Sequence, residues 1–287
     1  KADIDEVLGC WSGLGYYARA RNLHQTAKIV FSEFDSKFPV SLEKLESFPG
    51  IGRSTAGALL SISLGVSSPI LDGNVKRVLT RFHAVAGYPE KTAVKNTLWD
   101  LAEEHTPNTN FQIYTQAIMD LGATVCVRGN PNCPSCPLQT KCKALKDDNV
   151  AAYPHKKAKL IKPIRDSRFF ILQNQDGEVL IEKRDLNGVW KGLWGAIHRD
   201  KTTQPQSVCE EFGINAGEIE KSVISKTFRH TFSHFHLDIE PVYISVTTST
   251  NFQANITTRW IKPMQLLNEE LVGISKADKI VFGTLLI

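Results

Sequence analysis

The sequence predicts a multidomain protein, with an all-α N-terminal domain and an α+β C-terminal one. Three observations carry this. Apolar residues recur at helical spacing from the start of the chain to about residue 125. Four of the six cysteines then crowd between Cys126 and Cys142. After a basic stretch the pattern changes to the alternation of strands, with Asp176-Gly177 marking a hairpin. The expected boundaries are 1–145 for the helical domain, 146–166 for a linker and 167–287 for the second domain. The 287 residues have room for these, and 42% hydrophobic and 22% charged residues are the proportions of a soluble globular chain. No apolar run reaches membrane-spanning length and no secretory signal is visible, so a cytoplasmic monomer is expected.

Within residues 1–40, helices are expected at Asp5–Trp11 and Ala18–Phe34. Between them lies Gly13-Leu14-Gly15-Tyr16-Tyr17, followed by Arg19 and Arg21. Tyrosines beside arginines at a glycine turn suit wedging or stacking on DNA bases, and either tyrosine alone equally suits a core. Leu42–Phe48 and Ser54–Leu64 read as two helices around the tight turn Pro49-Gly50-Ile51-Gly52, with Gly65 closing the second. The start of the second helix, at Arg53 and Ser54, presents free N–H groups and a positive dipole end. That suits an anion such as a nucleic-acid backbone, although an ordinary αα-hairpin has the same pattern.

Asp72 precedes a further helix with Val75, Val78, Leu79 and Phe82 on one face. Locally it needs no role beyond that of N-cap. Lys76, Arg77 and Arg81 on this helix suit phosphate contact or plain solvation. Thr92–Glu104 and Phe111–Val125 complete the helical pattern. The cysteines follow as Cys126-x6-Cys133-x2-Cys136-x5-Cys142. Their irregular gaps fit an iron–sulfur cluster, and four-thiolate zinc is the alternative. Arg128 beside them offsets thiolate charge or reaches phosphate.

The net charge of +4 is concentrated. Residues 141–168 hold nine basic and three acidic residues, a local +6. A charge run of this kind is a solvated linker that can also touch phosphates. Beyond it, strands are expected at Arg168–Gln173 and Val179–Arg184, a helix over 206–217, and an alternating strand at His236–Val246. The apolar phase of that strand changes at Pro241, which suggests a bulge or a sheet edge.

The motifs GLGYYARARNL, FPGIGRSTAGA, ILDGNVKRV, MDLGATVC with its four cysteines, and FRHTFSHFHLD together resemble the adenine DNA glycosylase (MutY) family, in the helix-hairpin-helix superfamily shared with endonuclease III. The resemblance covers nearly the whole chain. It implies base excision repair of adenine mispaired with 8-oxoguanine or guanine in duplex DNA. It implies a [4Fe–4S] cluster on Cys126, Cys133, Cys136 and Cys142, and Asp72 as the catalytic carboxylate. DNA contacts are implied at Gly50, Ile51, Gly52, Arg53, Ser54, Tyr16, Arg19, Arg21, Lys76 and Arg128. Ser54 stands where lyase-competent relatives carry lysine, which implies a monofunctional glycosylase.

The second domain resembles the family's Nudix-like domain, with Phe232-Ser233-His234 set against 8-oxoguanine. Without the resemblance these three read as part of one hairpin strand. Only Glu210-Glu211 stands where a Nudix hydrolase needs a REXXEE-type acidic cluster, so binding without hydrolysis is expected. The chain starts at Lys1 and enters the pattern after the segment that carries the family's catalytic glutamate. It is therefore expected to be a fragment that binds DNA with near-zero excision.

Overall fold

The computed structural model describes residues 1–157, 161–247, 257–267 and 272–286. Lys159, within the basic run, lies outside them. Two units are recognised, one of residues Gln25–Lys159 and one joining Lys1–His24 to Leu160–Ile287. The division falls inside the second helix of the chain.

The helices begin with α1 (Ile4–Cys10) and α2 (Ala18–Glu33). The hairpin follows as α3 (Leu42–Glu46) and α4 (Arg53–Ala58). The backbone of α4 widens into a π-helical turn at Leu59–Ser63, and Gly65 ends it at φ 70°. Then come α5 (Gly73–His83), α6 (Thr92–His105) and α7 (Phe111–Asp120). A second π turn at Leu121–Val125 leads into Cys126, and α8 (Lys143–Lys146) follows the cysteines. Such turns recur at functional sites.

The apolar stripe of α5, Val75, Val78 and Leu79, is buried against Leu98, Trp99 and Ala102 of α6 and Ile118 of α7. Val30, Leu45, Phe48, Ala56 and Leu60 form a second cluster under the hairpin. Gly122 has no side chain for a packing reason: a Cβ there would lie 2.6 Å from the Cβ of Asn74. The π turn therefore packs directly on the start of α5.

In the other unit, eight strands form one mixed sheet among the described residues. They are β1 (Ile164–Gln173), β2 (Val179–Lys183), β3 (Trp194–Gly195), β4 (Ile197–Arg199), β5 (Ile219–Ile224), β6 (Phe228–Thr231), β7 (His236–Val246) and β8 (Thr258–Ile261). Three helices join them, α9 (Pro205–Glu211), α10 (Pro263–Leu267) and α11 (Lys276–Gly283). β1 and β7 run parallel in one unbroken register, from Ile164 opposite His236 to Gln173 opposite Ser245. Phe169 and Ile171 of β1 enter the core beneath α11, while Phe170 and Leu172 enter the core beneath α9. Successive side chains of a strand point to opposite faces, so a sheet covered on both sides buries all four.

One expectation needs correction. The phase change at Pro241 is neither a bulge of β7 nor an edge, because β7 lies inside the sheet in continuous register with β1. Leu237 and Ile239 serve one core and Val242, Ile244 and Val246 the other. Proline's missing donor falls where β5 ends at Ile224 and β6 begins at Phe228, so no ladder bond is lost there. The Phe232-Ser233-His234 run lies in the turn between β6 and β7, closed by the Phe232 N–H donating to the Phe235 carbonyl at 2.9 Å. By contacts, residues 1–24 group with the sheet unit. Leu8 and Ala20 are buried with Leu193, and Asp5 pairs with Lys183 at 2.7 Å. A Cβ at Gly273 would lie 2.8 Å from the Leu8 carbonyl oxygen, so glycine lets α1 approach this closely.

Candidate catalytic and DNA-binding site

In the helical unit, the hairpin turn is held from both sides. Gly50 adopts φ 77°, the Ile51 N–H donates to the Phe48 carbonyl at 3.1 Å, and the Thr26 hydroxyl donates to the Pro49 carbonyl at 3.0 Å. Gly52 is the N-cap of α4. Arg53 lies over the Trp99 ring at 3.9 Å and pairs with Glu103 at 2.5 Å, so it is anchored along the hairpin's flank. The Ser54 hydroxyl accepts a hydrogen bond from the Leu71 N–H at 3.0 Å. One side chain thus joins the hairpin to the backbone immediately before Asp72.

Asp72 caps α5. Its Oδ1 accepts from the N–H groups of Asn74 at 3.0 Å and Val75 at 2.8 Å, while Oδ2 makes neither bond. The cap reading is therefore correct as far as it goes, and one carboxylate oxygen lies outside that role. Lys76 pairs with Glu90 at 2.5 Å rather than standing free in solvent.

Sequence reasoning missed what Arg77 and Arg81 do. Arg77 donates to the Cys126 carbonyl at 2.7 Å, to Asn74 Oδ1 at 2.8 Å and to the Gly122 carbonyl. Burial lowers its pKa from the ordinary arginine value. Arg81 is 3% exposed and donates to the carbonyls of Tyr153 at 3.0 Å, Val127 at 2.8 Å and Arg128 at 3.3 Å, and to Cys126 Sγ at 3.3 Å. Both side chains bind the cysteine loop to the Asp72 helix, and neither is left for phosphate. Their spacing of four residues, on a helix followed by a cysteine cluster, was the available signal.

All four clustered cysteines line one small cavity with Arg81. Burial pushes the Cys133 thiol pKa up, and the Cys126, Cys142 and Cys136 thiols add to the effect. Among the described residues no group of three or more His, Cys, Asp or Glu side chains could hold a single metal ion. The Arg128 side chain is exposed beside this loop.

The sheet unit brings the remaining candidates together. Tyr16 and Arg21 line one cavity of about 830 Å³ with Phe232, Ser233 and His234. Tyr16 is 78% exposed and carries Arg19 over its ring at 5.3 Å. Tyr17 instead donates from its hydroxyl to the Ile274 carbonyl at 3.0 Å, which makes it the structural member of the pair. Phe232 stacks on Phe235 with ring centres 4.6 Å apart, and Ser233 and His234 are linked at 3.2 Å. In the same unit Arg199 binds Glu182 and Glu211, both at 2.8 Å. Glu211, one of the two glutamates standing where a Nudix acidic cluster is expected, is therefore held in an ion pair.

Comparison with known proteins agrees with this division of chemistry. Residues 1–104 match the HhH-GPD superfamily of base excision DNA repair proteins, and residues 168–279 match the NUDIX domain. An adenine DNA glycosylase of Buchnera aphidicola from Schizaphis graminum is 41% identical over 96% of this chain and 78% of its own length. That of Buchnera aphidicola from Acyrthosiphon pisum is 35% identical over 95% of this chain and 76% of its own length. The adenine DNA glycosylase of Homo sapiens is 42% identical over 50% of this chain and 26% of its own length. With both domain types in order and this identity across nearly its whole length, the chain belongs to the adenine DNA glycosylase family of base excision repair enzymes.

Proposed function

We propose that the protein is an enzyme for removing adenine mispaired with 8-oxoguanine or guanine from duplex DNA, with Asp72 beside the reacting sugar and near-zero excision by residues 1–287 on their own. The observation that carries this is the free geometry of Asp72 Oδ2, at a helix start tied to the hairpin through Ser54 and Leu71. A base inside a duplex is out of reach of a side chain, so the adenine is flipped out. The N-glycosidic bond breaks through an oxocarbenium-like sugar. A carboxylate beside that cation stabilises it, because fixed charge in a dry site needs no reorganisation during the reaction. Gly50, Ile51, Gly52 and Arg53 hold the DNA backbone, with Arg128 as a further phosphate contact. Lys76 contributes only when its pairing with Glu90 yields. Ser54 is not a nucleophile for the sugar, so the enzyme is a monofunctional glycosylase that leaves the abasic strand intact.

We further assign a [4Fe–4S] cluster to Cys126, Cys133, Cys136 and Cys142. The irregular 6-2-5 spacing supports the cluster over zinc. The four thiols also line one shared cavity. When bound, such a cluster ties the loop into one rigid piece, and Arg81 is placed to donate to the Cys126 sulfur. Iron and zinc analysis with visible absorbance separates the two. The Phe232-Ser233-His234 turn reads the 8-oxoguanine opposite the adenine, and the Arg199–Glu211 pair supports binding without pyrophosphate hydrolysis. The protein acts as a monomer in the cytoplasm, where thiols stay reduced.

The test is a pair of abasic duplexes with 8-oxoguanine opposite the lesion, one a cationic pyrrolidine and one an uncharged tetrahydrofuran. The cationic duplex is expected to bind about 10- to 100-fold tighter, as mimics of a transition state do. Equal affinity for the two would remove Asp72 from the chemistry. Borohydride trapping on abasic DNA is expected to fail, and covalent trapping would point to a lyase.

A further inference from the structure

We infer that the 830 Å³ cavity of the sheet unit is a nucleotide site whose phosphate side is formed by Arg21, Lys276 and Lys279 and whose base side is formed by Tyr16, Trp190 and Phe232. This rests on the reading of the Phe232-Ser233-His234 turn as the 8-oxoguanine contact, and adds to it a phosphate subsite on α11.

The lining decides the ligand's chemistry. It carries cationic side chains and no acidic one among the described residues. Without carboxylates it lacks the anionic oxygen ligands of a hard divalent cation, and desolvating lysines makes it poor for a purely apolar guest. An anion with a flat face satisfies both parts. Trp190 and Phe232 have ring centres 5.1 Å apart, and His230 sits 4.7 Å from Phe232 and 5.2 Å from Trp190. Burial lowers the His230 pKa, so at neutral pH the positive charge of the cavity comes from its lysines and arginine. A base stacks on such a wall whatever its hydrogen-bonding edge. The volume lies within the range of small-ligand pockets.

The walls are built in advance. The Tyr17 hydroxyl accepts from the Gly13 N–H at 3.3 Å and donates to Ile274, which holds the Gly13–Tyr17 turn against the segment leading into α11. Lys162 Nζ donates to the Phe232 carbonyl at 2.7 Å and fixes the reading turn. Lys279 Nζ lies 3.8 Å from where a Cβ on Gly13 would stand, which places its amine at the turn beside Tyr16. Tyr16 and Trp190 both adopt left-handed backbone, at φ 49° and 52°. Strain of this kind is kept where surrounding structure enforces it, and it collects at binding sites.

The nucleotide has two sources, a residue of a DNA strand or a free mononucleotide. The experiment uses the full chain, its Lys276→Gln/Lys279→Gln variant, and the corresponding double arginine variant. Lys276 is exposed and Lys279 half-buried, so both glutamines keep their stems in place and the fold is preserved. Binding is measured to duplexes carrying adenine opposite 8-oxoguanine or guanine across a salt series, and to free 8-oxo-dGMP and dGMP by calorimetry. The glutamine pair is expected to reduce the log–log salt slope by about 0.9, the contribution of one phosphate no longer neutralised, and the arginine pair to restore it. If 8-oxo-dGMP also binds and the glutamine pair abolishes that binding, the free nucleotide suffices. If only the duplex arm responds, the ligand is a nucleotide within DNA. An unchanged slope together with unchanged mononucleotide binding overturns the phosphate subsite. Ser233→Ala separates the two readings, since it should erase the preference for 8-oxoguanine over guanine without moving the slope. A slope that falls while Ser233→Ala keeps the preference leaves the phosphate subsite standing and removes the reading turn.

Discussion

Ser54 and Asp72 are far apart in sequence and joined through one backbone amide, that of Leu71. Asp72 caps α5 and is proposed to act beside the sugar, and substitutions separate the two duties. Asparagine caps a helix about as well as aspartate, whereas alanine costs about 1 kcal/mol. Asp72→Asn is therefore expected to keep its stability in urea while losing the preference for the cationic pyrrolidine duplex. Asp72→Ala should lose both. If Asp72→Asn keeps the preference, the residue is a cap and nothing more. Ser54→Ala removes the bond to Leu71 and should cost about 1 kcal/mol. Because that bond sets where Asp72 stands, the pyrrolidine preference should also fall, by less than in Asp72→Asn.

At the scale of elements, α5 joins two pieces of machinery. Its first turn carries Asp72 and its inner stripe packs the helical core, while Arg77 and Arg81 hold the cysteine loop. Replacing Arg81 with methionine leaves the Val127 and Tyr153 carbonyls without their donor. Each such bond to a charged donor is worth about 1.5–3 kcal/mol. A large drop in melting temperature and a lower iron content per chain are expected, with Arg81→Lys recovering part of both. An unchanged iron content would mean that the loop holds its shape without α5. The helix itself was legible in the sequence, because its cap and its apolar stripe are local patterns. The arginines were not, since a basic residue on an amphipathic helix looks the same whether it meets a phosphate or a carbonyl. The Phe232-Ser233-His234 turn was legible only through the resemblance, for a related reason. Its aromatic residues favour strands, and only the Phe232–Phe235 pairing makes it a turn. Pro241 shows the limit most clearly, because whether its missing donor matters depends on where two other strands end.

For the molecule as a whole, buried imidazoles set the response to acid. Burial lowers the pKa of His83 in the helical unit, helped by His105, and of His198 and His230 in the sheet unit. His198 goes furthest, to about 4, through burial and then the nearby Arg184 charge. A folded-state pKa below the unfolded value of about 6.5 means that the unfolded chain binds more protons between those limits. Stability contributed this way is present above pH 6.5 and is lost as the pH falls towards 4. For His198 the loss is at most about 3 kcal/mol, from about 2.5 pKa steps at about 1.36 kcal/mol each. The lowered carboxyls of Glu90 and Asp238, paired with Lys76 and Arg229, lose stability in the same direction at still lower pH. The two units are separable by signal. Trp11, Trp190, Trp194 and Trp260 lie in the sheet unit and Trp99 in the helical one, so tryptophan fluorescence follows mainly the sheet and far-ultraviolet ellipticity mainly the helices. Urea titrations at pH 7.5, 6 and 5 should show stability falling by both signals. His198→Gln should flatten the fluorescence-detected dependence and leave the ellipticity-detected one as it was. The slope with pH is the quantity to read, because the substitution also shifts the absolute stability by altering a packed site against Phe169. A fluorescence slope that survives the substitution would assign the acid response to His230 and the paired carboxylates instead.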